Sequence, residues 1–191
     1  MDFTKDLFQI VFFARAGQGA KSIAEVLAQT AVAEGKFVQA FSFYGPQRSG
    51  APTKTYVKIS AKPIRNHEPI VDPDVAVVLD DTLLKSEKVD NNLSEDESLI
   101  INTKKTGEEI RSELSEFRGN IKVIDANEIA YDVMEKHHIN GVMLGKLIQV
   151  TEIVDLETAK KEFQKIFEKK LGQELVRKNI LAMEKGYDNY I

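Results

Sequence analysis

A chain of 191 residues, 42% of them hydrophobic, is long enough to bury a real core and short enough to be one domain over residues 1–191. Its 26 basic and 30 acidic residues leave a formal charge of -4, which argues against the basic surface that nucleic-acid binding requires. The chain has no cysteine, so disulfides, thiolate zinc sites, thiol nucleophiles and cysteine-ligated iron–sulfur clusters are excluded together.

The opening residues lack a basic region followed by an apolar one, and no apolar run nears the roughly 20 residues of a membrane span, so a soluble cytoplasmic protein is expected. Residues 7 to 13 read as a buried strand. Residues 20 to 34 read as a helix, with Ile23, Val26, Leu27, Thr30 and Ala31 at helical spacing and Gly35 as its terminator. Residues 37 to 43 and 54 to 60 are β-like, and the turn-rich stretch Tyr44-Gly45-Pro46-Gln47-Arg48-Ser49-Gly50-Ala51-Pro52 joins them. Residues 74 to 80, 98 to 102 and 121 to 125 are apolar runs of the sort that parallel strands buried on both faces require. Residues 126 to 136, 140 to 150, 155 to 170 and 173 to 186 follow as helices, with Asn140 and Asp155 as expected caps. The order predicts an α/β protein: a three-layer α/β/α arrangement with a mostly parallel, mixed sheet, Rossmann-like, with a helical C-terminal third.

The most telling turn is Ala14-Arg15-Ala16-Gly17-Gln18-Gly19-Ala20, placed between a strand and a helix, where α/β proteins aim backbone N–H groups at an anion or a close partner. It is not a Walker A loop, because Lys21 falls one residue late. It departs from a dinucleotide fingerprint too: the third glycine position is Ser22, and no carboxylate closes the second apolar run. A free-standing Rossmann-like nucleotide-binding protein or dehydrogenase is the alternative reading of this turn. A hydrolase or transferase using Asp80 and Asp81 is a third, although one of that pair more simply caps a short helix. His137 and His138 are adjacent, so on a helix their rings would diverge and could not share an ion.

Several words along the chain carry a resemblance. Arg15-Ala16-Gly17-Gln18-Gly19-Ala20, the Tyr44-to-Pro52 loop, Pro73-to-Asp80, Asn140-Gly141-Val142-Met143-Leu144-Gly145 and Asn179-Ile180-Leu181-Ala182 with Gly186-Tyr187 are similar in order and spacing to the gamma subunits of 2-oxoacid:ferredoxin oxidoreductases, most closely the pyruvate enzyme. The family usually has glycine where Ala14 stands and a charged residue where Gln47 stands. If the Ala14 position is left-handed in relatives, the turn here must be slightly different or strained.

The resemblance implies a subunit rather than a complete enzyme. The complete enzyme uses thiamine diphosphate, magnesium and iron–sulfur clusters, transfers the acyl group to coenzyme A, and passes electrons to ferredoxin or flavodoxin. In it, alpha, beta and delta chains hold the reactive groups, and this chain would hold no cofactor alone, bind neither nucleic acid nor membrane, and supply no catalytic residue. It implies cofactor-adjacent or subunit-interface roles for Arg15, Gly17, Gln18, Gly19 and Arg48, and interface roles for Tyr44, Gly45, Gly50, Ala51 and Tyr187. The helical tail places Phe163, Ile166, Phe167 and Leu171 on an expected core-facing stripe.

Overall fold

A computed structural model describes residues 6–44 and 50–189. Strand β1 (Leu7–Arg15) leads into helix α1 (Ala20–Ala33) and then strands β2 (Phe37–Tyr44) and β3 (Pro52–Ser60). Strand β4 (Val75–Val78), a 3-10 turn (Asp81–Lys85), β5 (Ser98–Asn102), α2 (Gly107–Glu113) and β6 (Asn120–Ile124) follow. Helices α3 (Ala126–Met134), α4 (Asn140–Thr151), α5 (Leu156–Leu171) and α6 (Gln173–Tyr187) complete the chain. The sheet order is β2-β3-β1-β4-β5-β6. β1, β4, β5 and β6 are mutually parallel, and β3 runs antiparallel to both β1 and β2, so the sheet is mixed as expected.

The apolar runs of β1, β4 and β5 are explained by two covered faces, whereas β6, also expected to be buried on both, is an edge strand in which Ile124 alone is fully buried. In β1, Ile10, Phe12 and Ala14 point into the larger core under α1 and α3 to α6, while Val11 and Phe13 point into a second core with Leu83, Ile110 and Phe117. β4 repeats the alternation: Val75 and Val77 face one side, Ala76 and Val78 the other. Every residue of the stripe expected on α1 is buried. Gly35, at φ 79, ends the helix with backbone bonds from Gly35 to Val32 (2.9 Å) and from Lys36 to Ala31 (2.9 Å), the paired closure of a Schellman motif.

Helix α4 is buried all round, from Gly141 to Ile148, because α6 covers the side away from the sheet. The two helices approach closely through glycine. A Cβ on Gly145 would stand 1.9 Å from the Met183 carbonyl oxygen, and one on Gly186 would stand 2.1 Å from that of Val142. Two of the family-like words are thus the two halves of one helix contact, and Tyr187 is half-buried against the same core.

Two expectations about the helices are corrected, and the conformation of Ala14 is settled for this chain. Asp155 does cap α5, accepting from the Thr158 N–H at 2.8 Å, but α4 is preceded by Ile139, and Asn140 is its first helical residue with no capping bond. Leu171 is 40% exposed, because α5 ends at the rim of a cleft rather than over the core. Ala14 lies in extended β1 and is buried, so it carries no left-handed strain.

Candidate functional site

The carboxyl ends of β1 and β4 lie side by side, and the chain leaves them in opposite directions, through α1 towards β2 and through the 3-10 turn towards β5. Diverging loops at such a switch point leave a crevice, the usual ligand position in open α/β sheets. A cleft of about 880 Å³ opens there, within the range of small-molecule and cofactor sites. Its polar end is walled by Gly17, Gln18, Gly19, Asp80, Asp81 and Thr103; its apolar end lies between Ile23, Val26, Leu144, Phe163 and Phe167.

One hydrogen-bonded clamp fixes the polar end. The Gln18 side chain accepts from the Arg15 N–H at 2.7 Å and donates to Asp80 Oδ2 at 2.8 Å, tying the loop after β1 to the loop after β4. Arg15 Nε lies 3.3 Å from the same carboxylate oxygen, and its Nη2 and Nη1 donate to the Thr82 hydroxyl (2.8 Å) and the Gly50 carbonyl (3.1 Å). Burial works to raise the Asp80 carboxyl, but bonds from the Thr82 hydroxyl, the Gln18 amide and the Thr82 N–H, with the charge of Arg15, hold it below its ordinary value. Asp80 also caps the 3-10 turn, as the sequence suggested for one of the two aspartates.

The turn requires its glycines. Gly17 and Gly19 have φ of 101 and 86, a region that alanine adopts only with strain. Around Gly17 there is open space, whereas a Cβ on Gly19 would stand 2.4 Å from the Asn140 carboxamide, so Asn140 packs on the turn instead of capping α4. Gly19 precedes α1 without a side-chain cap, and Ser22 of the first helical turn faces the cleft. Across the opening, Lys104 approaches Asp125 at 3.8 Å while remaining exposed, and the Glu113 carboxylate holds the ammonium of Lys105 above its ordinary pKa.

The structure brings Arg15, Gly17, Gln18 and Gly19 together. Gly50 and Ala51 join them, through Ala16 N–H to the Ala51 carbonyl (2.8 Å) and Gly50 N–H to the Ala16 carbonyl (3.3 Å). Tyr44 ends β2 opposite Thr53, Tyr187 lies away from the cleft against α4, and Gly45 and Arg48 lie outside the described residues. Sequence reasoning missed Thr103, Lys104, Asn127 and Asn140 as cleft residues. The first three follow directly on the ends of parallel strands or open the next helix, which is the signal that could have found them. His137 and His138 stand in the link between α3 and α4 rather than on a helix; both line the cleft, and His137 stacks on Tyr131 at 5.4 Å. Among the described residues no group of three His, Asp or Glu side chains could hold a metal ion.

Fold and cleft together define a doubly wound α/β protein with a cleft at the switch point. The chain belongs to the pyruvate ferredoxin/flavodoxin oxidoreductase family, whose model matches residues 9–189. It is 43% identical over 188 residues to pyruvate synthase subunit PorC of Thermotoga maritima, covering 98% of this chain and 97% of that one. It is 36% identical to the pyruvate/ketoisovalerate oxidoreductases common subunit gamma of Thermococcus kodakarensis, over 97% of this chain and 98% of the relative. The crystal structure of pyruvate oxidoreductase subunit PORC from Thermotoga maritima superposes with a TM-score of 0.86 at 41% identity, over 97% of both chains. A 2-oxoglutarate:ferredoxin oxidoreductase from Magnetococcus marinus shares the fold at 18% identity and a TM-score of 0.76, this chain covering 30% of that longer one.

Proposed function

We propose that this chain acts as one gamma-type domain of a 2-oxoacid:ferredoxin oxidoreductase with pyruvate as its substrate, and that it walls the reaction site without holding a redox centre. The observation that carries the reading is the end-to-end match to subunits of that kind, 43% identical over 98% of the chain. The lack of any cysteine agrees with it, since a cluster must then be ligated by sister chains. Those sisters are the alpha, beta and delta subunits, with ferredoxin or flavodoxin as the electron acceptor of the complex. No helix among the described residues is long and apolar enough to cross a membrane, and the complex works in the cytoplasm.

Thiamine diphosphate, with its magnesium ion on the sister chains, supplies the chemistry that splits the bond between carboxylate and carbonyl carbons. This chain's part is positional. The Gln18–Asp80–Arg15 clamp fixes the loop after β1, so Gly17, with open space around it, presents backbone rather than side chain to whatever closes over it, while Gly19 makes room for Asn140 of the same chain. Arg15 spends its guanidinium inside the chain and acts on a partner through the loop it holds. Arg48, which lies outside the described residues and stands two positions before Gly50 in the sequence, is assigned in this proposal to a carboxylate of a sister chain or the phosphates of coenzyme A.

Affinity purification of the tagged chain from its native cells tests this. Larger chains carrying thiamine diphosphate and iron–sulfur absorbance are expected to elute with it, and Arg48→Ala is expected to weaken either assembly or coenzyme A affinity. A chain that elutes alone, or an Arg48→Ala complex unchanged in both respects, would overturn the corresponding part.

A further inference from the structure

The two ends of the switch-point cleft ask for different chemistry. At the polar end the acceptors are spent. Asp80 Oδ1 takes the Thr82 N–H and hydroxyl, Asp80 Oδ2 takes the Gln18 amide, and Asp81 Oδ2 takes the Thr103 hydroxyl at 2.7 Å. The donors are not spent. Helix α1 opens without a side-chain cap, and among the described residues the N–H groups of Ala20, Lys21 and Ser22 meet no acceptor. Lys104, whose side chain is 83% exposed, stands across the opening.

A second, independent observation lies at the apolar end. Phe163, Phe167 and Leu171 follow at intervals of four along α5 and line one wall, the two rings 4.8 Å apart. Leu171 is 40% exposed there, so part of this apolar stripe faces the opening rather than a covering helix. Asn179, on α6, lines the same end and is only 5% exposed. Its Nδ2 donates to the Leu175 carbonyl at 2.8 Å. Among the described residues no donor reaches its Oδ1, although buried carboxamide oxygens are ordinarily paired.

We propose that the cleft binds an organic phosphate: the phosphoryl group sits on the first turn of α1 beside Ser22, and an apolar body lies along Phe163 and Phe167 and donates an N–H or O–H to Asn179 Oδ1. A phosphoryl group suits the polar end because its three terminal oxygens can take three converging N–H groups, where a carboxylate offers two. A purine mononucleotide has this chemistry, with a flat base that stacks on aromatic rings and an exocyclic amine that donates. The volume of about 880 Å³ is that of a small-molecule site, and an acceptor as deeply set as Asn179 Oδ1 is met by a ligand that enters the recess. The inference stands on the cleft alone and does not use the assignment of Arg48 or of sister chains.

Titration calorimetry of the full chain with adenosine 5′-monophosphate tests it. A Kd below about 1 mM is expected, with inorganic phosphate and adenosine each at least about tenfold weaker. Ser22→Asp sets a carboxylate on the helix N-terminus, which favours the helix while repelling phosphate, and should weaken the nucleotide at least about tenfold. Asn179→Leu should weaken the nucleotide by a similar factor and leave inorganic phosphate unchanged. Circular dichroism melts show that both variants fold, and Ser22→Asp carries the test should Asn179→Leu not. Coenzyme A carries the same phosphate and purine chemistry, so the source is read from the assembled enzyme. A coenzyme A KM raised by Ser22→Asp identifies the nucleotide end of coenzyme A, and an unchanged KM identifies a separate phosphate ester. No binding of the mononucleotide, adenosine binding as tightly as its phosphate, or Ser22→Asp binding like the wild type would each overturn the proposal.

Discussion

Gly17 and Gly19 sit two residues apart in the same left-handed region, yet their surroundings separate two kinds of cost. At Gly17 alanine meets open space and pays only the conformational strain, about 1 kcal/mol. At Gly19 the same strain is joined by a collision with the Asn140 carboxamide at 2.4 Å, so Gly19→Ala is expected to cost about 2 to 3 kcal/mol in chemical denaturation. Adding Asn140→Ala should return part of the Gly19→Ala loss and nothing of the Gly17→Ala loss, which a double-mutant cycle measures. Lys146 gives a second test at this scale. Burial, with the charge of Lys122, lowers its pKa to about 8, although its ammonium donates to the Asn189 carbonyl. Between about 8 and the ordinary 10.5 the unfolded chain binds more protons than the folded one, so this lysine makes stability rise with pH in that window. Lys146→Met should flatten that rise in thermal melts taken from pH 7.5 to 10; an unchanged slope would contradict it.

Among the elements, the α4–α6 pair is the least tolerant of change. At Gly145 and Gly186 the facing atoms are backbone carbonyls, which cannot turn aside as the Asn140 side chain can. Gly145→Ala and Gly186→Ala are each expected to cost about 3 kcal/mol or more and to undock α6, seen as loss of amide-exchange protection in that helix. This contact also marks what the sequence could and could not disclose. The stripe of α1, the Gly35 stop and the doubly buried β4 and β5 were legible, because each follows from local periodicity and burial on known faces. The partnership of the Asn140-to-Gly145 word with the Asn179-to-Tyr187 word was not, since nothing local says which helices will touch. Helix α2 was legible in principle: Thr106 and Glu109 form a reciprocal capping box, but its 7 residues offer little periodicity. Of the cleft, the sequence disclosed the glycine turn and missed the opposite wall, where Thr103, Asn127 and Asn140 arrive from three different connections.

For the molecule as a whole, the argument joins a fact of composition to one of architecture. A chain without cysteine cannot ligate an iron–sulfur cluster through thiolates, and the polar end of its switch-point cleft is shaped by backbone turns and a closed hydrogen-bond clamp. Such a surface suits the proposed role of completing a site built with sister chains. The subunit relatives it matches end to end place it inside a larger enzyme. The most direct measurement is coenzyme A-dependent reduction of ferredoxin by pyruvate, assayed with the isolated chain, with the remaining subunits alone, and with both recombined. The account predicts no turnover by the isolated chain, a loss of at least about tenfold when the chain is left out, and recovery on adding it back. Turnover by the solitary chain, or full activity without it, would contradict the account.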